Sequence, residues 1–321
     1  MTFSRRLMLG ALAATGACPA PLRAEAWPSR PLRLIVPFGT GGSADVAARF
    51  LAEPLAAQLG QPVIVENRPG GGAVIGTEAA AKASDGHTAL VMSNTHTANE
   101  TLQPRRPYVL LRDLAPVAAV NVAYHVLAVH PSLGIADTAG LIARAKAAPG
   151  TLDYASSGPG TPYHIAGAVF CAMAGIEMNH IPFKGSNEAR TALLSGQVPV
   201  MFDAIPTMRE QIAAGRVTGL GTTGPEPSPL LPGLPTIAAT VPGFEASIWL
   251  GLMMPAGTPA PAIARLHDAV NSILTAAATR AGMARGGAQP MPMSVAAFDA
   301  FLRRDIERQG EWIRLARIEA G

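Results

Sequence analysis

Two glycine-rich loops hold the residue types in this chain best suited to chemistry. The first reads Pro37-Phe38-Gly39-Thr40-Gly41-Gly42-Ser43-Ala44-Asp45 and follows the β-like run 32–36. The second reads Ser157-Gly158-Pro159-Gly160-Thr161-Pro162-Tyr163-His164 and follows the run 152–156. Each opens onto a helical pattern, and a helix start leaves backbone N–H groups without intrahelical partners at the positive end of its dipole. Such an end binds anions. Two of them, 119 residues apart, read as half-sites that close on one small acidic ligand.

Neighbouring side chains allow more than one role. Thr161 suits the N-cap, Pro162 the first helical position and Gly175 the helix end. His164 could hydrogen-bond a carboxylate or satisfy a neighbouring loop. The chain has 22 arginines and three lysines, and Lys184 lies in a strand-to-helix loop where it could pair with a ligand or face solvent. Asp45 suits the helix dipole but repels an anion, so it either orients the opposing loop or receives a ligand amine.

Catalytic readings are thin. Gly39-x-Gly41-x-x-Ala44, with Glu66 22 residues later, also fits a dinucleotide fingerprint. An exported nicotinamide-dependent oxidoreductase is therefore the alternative, although exported proteins meet little of that cofactor. Ser43 and Ser157 lie outside any Gly-x-Ser-x-Gly elbow. The histidines are scattered; His125 and His130 fall on opposite faces of a strand. Cys171, in an apolar helical run, reads as a buried core thiol. No catalytic residue, metal or cofactor is expected.

The elements that position these loops alternate in βα order, the pattern of a mainly parallel α/β sheet. Strands are expected at 32–36, 63–66 and 88–92 with helices at 44–59 and 77–82. Extended stretches at 113–122 and 126–129 around Asn121 mark a domain crossing. A second series has helices at 138–147, 162–174, 187–195 and 207–214. Strands at 152–156, 177–181, 198–202 and 217–222 alternate with them. The proline-rich stretch 224–235 is irregular. A return strand at 245–254 and helices at 261–278 and 295–319 complete a discontinuous first domain. The arginines of the last helix face solvent opposite an apolar face. Two lobes joined by two crossings suit hinge closure around a ligand.

At 321 residues, 49% hydrophobic and 15% charged, the chain fits two well-buried domains. Aromatics at 5% give no surface for stacking nucleic-acid bases. Ser4-Arg5-Arg6, the apolar stretch 7–17 and Ala24-Glu25-Ala26 read as a cleaved export signal over residues 1–26. Sec export is favoured over the twin-arginine route, which Ser4-Arg5-Arg6-Leu7-Met8-Leu9 also resembles. Cleavage would remove Arg5, Arg6, Arg23 and Glu25, lowering the formal charge from +3 to +1 and giving no case for a polyanionic partner. It would also remove Cys18, leaving Cys171 without a disulfide partner.

Across nearly the whole mature chain the sequence resembles the Bug-type (TctC-like) receptors, periplasmic solute-binding components of tripartite tricarboxylate transporters. The likeness rests on Val36-Pro37-Phe38-x-x-Gly41-Gly42-x-x-Asp45, Val65-Glu66-Asn67-Arg68-Pro69-Gly70 and Asp85-Gly86-His87-Thr88. It continues in Ser157-Gly158-x-Gly160-Thr161-Pro162-x-His164, Pro182-Phe183-Lys184-Gly185 and Pro255-Ala256-Gly257-Thr258-Pro259. Ala73-Val74 departs from the family's Gly-Asn before Ile75-Gly76. The resemblance implies a two-lobed α/β Venus flytrap, with lobe 1 at 27–122 plus 246–321 and lobe 2 at 123–245. It implies a carboxylate held largely by backbone amides and bridging waters. The expected ligand-binding set is Phe38, Gly39, Thr40, Gly41, Gly42, Ser43 and Asp45 from one loop, and Ser157, Gly158, Gly160, Thr161 and His164 from the other. Ser93, Asn94, Lys184 and Asp203 are added for the distal pocket. The implied protein is a monomeric, non-catalytic periplasmic receptor that transiently contacts an inner-membrane permease; a sensor kinase as the partner stays open.

Overall fold

The computed structural model describes residues 27–319. The expected export signal lies outside the described residues. The chain begins with β1 (Leu32–Val36), α1 (Ser43–Leu59), β2 (Val63–Asn67), α2 (Val74–Ala81), β3 (Thr88–Ser93) and α3 (Asn94–Leu102). The short α4 (Leu110–Asp113) then leads into the 16-residue β4 (Leu114–Val129). Next come α5 (Thr138–Ala147), β5 (Asp153–Ser156), α6 (Pro162–Ala174), β6 (Asn179–Pro182), α7 (Ser186–Leu194) and β7 (Val200–Ala204). These are followed by α8 (Ile205–Ala213), β8 (Thr218–Thr222), β9 (Ser247–Pro255), α9 (Ala260–Thr275) and α10 (Ala277–Arg285). The last elements are β10 (Ala288–Pro290) and α11 (Val295–Leu315).

The strands are ordered β2-β1-β3-β9-β4-β7-β5-β6, with β8 and β10 also pairing β4. Pairing is parallel where the sequence shows βα repeats, among β2, β1 and β3 and among β7, β5 and β6. The expectation of a mainly parallel sheet stops at the centre. There β4 and β9 run antiparallel to each other and to their outer neighbours, because one carries the chain out and the other brings it back. The two stretches expected around Asn121 are one strand. Residues 114–124 pair with β9, and His125 to Val129 pair with β7 and β8. The interruption at Asn121 is a register shift between Ala119 and Asn121.

Helices cover both faces on each side of this crossing. Leu51 and Leu55 of α1 and Leu266 and Val270 of α9 bury one face of the β1–β3 region. Phe298 and Leu302 of α11 cover the other face. In the β5–β7 region, Ile165 and Phe170 of α6 pack on Phe202 and Tyr154, while α7 and α8 supply Leu193 and Met208 opposite. The last turn of α11 reaches the second region, where Ile313 joins the Phe170 and Phe202 cluster. A residue of α11, Asp305, accepts from Thr97 Oγ1 of α3 (2.6 Å) and Trp249 Nε1 of β9 (3.1 Å). No helix among the described residues is long and apolar enough to cross a membrane.

Candidate functional site

Five helices start around one cavity of about 400 Å³. Its wall includes Ser43 and Ala44 at the start of α1, Ser93 and Thr95 at α3, and Thr161 to Tyr163 at α6. It also includes Ser186 and Asn187 at α7 and Ala204 and Thr207 at α8. Each of these helices follows a strand directly or by a loop, β1, β3, β5, β6 and β7 in turn, so the cavity lies outside the strands' carboxyl ends. The dipoles therefore point their positive ends into one space. At α1, α6, α7 and α8 no side chain caps the first turn; α3 alone of the five is capped, by Ser93.

The first loop is held from behind. Gly41, at φ +80°, donates its N–H to Asp45 Oδ2 (2.9 Å), and Arg49 grips the same carboxylate at 3.0 Å. Arg49 also donates to Asn67 Oδ1 (3.1 Å), and Asn67 Nδ2 donates to the Phe38 carbonyl (3.1 Å). Burial pushes the Asp45 carboxyl up, but the hydrogen bonds from Arg49 and Gly41 outweigh it and hold the group below its ordinary value. The N–H groups of Thr40, Ser43 and Ala44 have no partner among the described residues. That of Gly41 is engaged within the loop.

The second loop is built the same way from different groups. Gly158 donates to Ser156 Oγ (3.1 Å), Gly160 to His164 Nδ1 (3.0 Å), and Thr161 Oγ1 to the Gly158 carbonyl (2.7 Å). The His164 ring stacks on His180 at 3.8 Å, and His180 Nε2 lies 2.6 Å from Ser156 Oγ. Burial, aided by His180, pulls the His164 pKa down to about 3, so its Nδ1 stays a lone-pair acceptor for Gly160. Ser157 and Tyr163 keep N–H groups without a partner among the described residues.

Of the sixteen side chains and backbone units expected at the site, the cavity gathers Phe38, Gly39, Thr40, Gly41, Gly42, Ser43, Ser93, Ser157, Thr161, Lys184 and Asp203. Five do not line it. Asp45 accepts from the Gly41 N–H and from Arg49 within its own loop and helix. His164 and Gly160 satisfy each other and open instead on a wider cleft of about 800 Å³ beside Cys171. Gly158 takes φ +123°, and its N–H is engaged. Asn94 turns away to donate to the Ser247 carbonyl (2.8 Å), tying α3 to β9. Cys171 is half-buried and not a full core thiol; burial raises its pKa to about 12, which leaves it unreactive. Lys184 is exposed at the rim, and its backbone N–H donates to Glu188 Oε2 (3.2 Å).

Sequence reasoning missed Tyr163, Ser186, Asn187, Arg190 and Thr207, and the apolar patch of Ile248 and Leu250. Ser186 and Thr207 follow from the rule that ligands sit beyond parallel strand ends. Arg190 has no local signal: it reaches Asp203 Oδ2 at 2.7 Å across the fold, from the middle of α7 to the end of β7. Glu66, the acid of the dinucleotide fingerprint, is held by Arg68 (2.6 Å) and lies off the cavity.

A ligand cavity at the carboxyl ends of two α/β lobes, joined by a pair of long crossing strands, defines a periplasmic-binding-protein receptor. The tripartite tricarboxylate transporter family receptor model matches residues 47–317, and the chain belongs to that family. It is 37% identical over 319 residues to protein BugT of Bordetella pertussis, covering 98% of each chain. Among solved structures, R. palustris Rpa4515 with adipate superposes with a TM-score of 0.86 at 30% identity, over 91% of this chain and 99% of that one. MatC (Rpa3494) from Rhodopseudomonas palustris with bound malate gives 0.81 at 28% identity, over 89% and 100%.

Proposed function

We propose that this chain is an extracytoplasmic receptor that captures a small carboxylate between its lobes and delivers it to a tripartite transporter permease. The observation that carries this reading is the convergence of five helix N-termini, four without side-chain caps, on one cavity. The unpartnered N–H groups of Thr40, Ser43 and Ala44 on one side and Ser157 and Tyr163 on the other supply the donors. Micromolar affinity corresponds to about −8 kcal/mol. Hydrogen bonds to a charged group contribute roughly 1.5–3 kcal/mol each, so four or five suffice after ordering costs. The adipate and malate in the related structures are ligands of the same class.

In this reading residues 27–122 plus 246–321 form one lobe and 123–245 the other, hinged where β4 and β9 cross. The receptor works as a monomer in the periplasm after losing residues 1–26. Calorimetric titration of the mature protein with mono-, di- and tricarboxylates should give saturable heat and a raised melting temperature. Binding of neutral solutes with no response to any carboxylate would overturn the reading.

A further inference from the structure

The cavity holds one group that an amide-bound carboxylate does not explain. Asp203, at the end of β7, is fully buried and lines the cavity. Its Oδ2 accepts from Arg190 Nε at 2.7 Å, with Thr207 Oγ1 at 3.5 Å. Its Oδ1 is buried without any hydrogen-bond partner among the described residues. A buried carboxylate oxygen left unpaired is costly, and among the buried unpartnered side-chain atoms of the described residues this is the only carboxylate oxygen and the only one on a residue lining the cavity. Burial pushes this carboxyl above its ordinary value, while the Arg190 guanidinium opposes the rise.

Arg190 does not fill the gap: it meets the carboxylate through Nε at Oδ2 and turns Nη1 to Asn187 Oδ1 at 3.0 Å. Nor can the ligand's anchored end, since a second carboxylate oxygen facing Oδ1 would meet like charge. What Oδ1 lacks is a donor. We propose that Asp203 Oδ1 is a second recognition point, selecting carboxylates that carry a hydroxyl or ammonium donor on their chain over plain acids of the same length. This rests on the carboxylate reading above and adds the polarity of the ligand's far end. Apart from Ile248 and Leu250 the wall is built largely of glycine, serine and threonine, and its only other carboxylate is that of Glu188, which accepts from the Lys184 N–H.

The test is calorimetry on the intact mature protein with length-matched sets: succinate, malate and aspartate; glutarate, 2-hydroxyglutarate and glutamate; and the 2-oxo acids as acceptor-bearing controls. One set should show a hydroxyl or ammonium member binding roughly 10- to 100-fold more tightly than its plain and 2-oxo partners. Whichever donor wins identifies the group. In Asp203→Asn the amide oxygen remains on Arg190 and the NH2 turns to the cavity. The preference should then collapse or pass to the 2-oxo acid. Circular dichroism and melting of the unliganded variant show whether it is folded, and the wild-type comparison stands without it. Equal affinity, within twofold, for donor-bearing and plain acids overturns this proposal and leaves carboxylate binding intact. Failure of every carboxylate to bind overturns the function itself.

Discussion

The Asp45 carboxylate stands behind the first loop and sets the direction of its amides. It takes the Gly41 N–H in a left-handed turn, while the N–H groups of Thr40, Ser43 and Ala44, residues that line the cavity, have no partner among the described residues. Asp45→Ala should therefore weaken carboxylate affinity by about tenfold and cost about 1.5–3 kcal/mol of stability, the value of a hydrogen bond to a charged group. Calorimetry and urea unfolding measure the two effects separately. An affinity unchanged in a folded variant would mean that the loop holds its shape without the acid. The sequence carries part of this arrangement, since Arg49 lies four residues after Asp45, a spacing at which opposite charges meet on a helix. The pairing of Asp203 with Arg190 is different in kind. They stand 13 positions apart, one on α7 and the other on β7, so only the folded chain brings them together.

Among the elements, the long apolar and glycine-punctuated ones were readable, and a polar one was not. The α6 helix begins at Pro162 and ends at Gly175 in the left-handed conformation, as its punctuation dictates. By contrast, Asn94-Thr95-His96-Thr97 has no apolar periodicity, yet these residues open α3 and are buried. Their burial is possible because Ser93 and His96 cap one another's backbone, with histidine in the place usually held by glutamate. Asp305 of α11 then binds Thr97 and Trp249, joining α3 and β9 to the last helix. Asp305→Ala would leave the Trp249 indole N–H buried without an acceptor, while the Thr97 hydroxyl keeps the Asn94 carbonyl at 2.9 Å. The expected loss is about 1–3 kcal/mol, read as a lower urea midpoint, with ligand affinity in the remaining folded protein little changed. A neutral result would show that water replaces the carboxylate.

At the scale of the whole molecule, two lobes and two crossings follow from the interrupted βα series. That the crossings are adjacent antiparallel strands of one continuous sheet does not, because strand pairing across lobes leaves no local pattern. Nor does the sequence show that scattered histidines end up interior. His96 and His164 support the starts of α3 and α6, while the His125 ring lies 4.8 Å from the Tyr163 ring with both nitrogens unpartnered among the described residues. Burial lowers His125 and His164 to about 3, and His96 and His180 to about 4, from an ordinary value near 6.5. Between those values only the unfolded chain takes up the protons, so stability is complete above pH 6.5 and is lost as pH falls. Each proton contributes on the order of 1.4 kcal/mol per pH unit, less for the half-buried His180. Asp203, raised by burial, acts with the opposite sign as it protonates, but it is one group against four. Denaturant midpoints measured from pH 7.5 to 4.5 should therefore begin to fall just below pH 6.5, well before the ordinary carboxylates titrate. His125→Phe removes a ring with no hydrogen-bond partner among the described residues, so it should make that decline shallower by one group's share while leaving the cavity's amide donors in place. A stability profile level down to pH 5 would show that these rings charge as readily in the folded protein as in water.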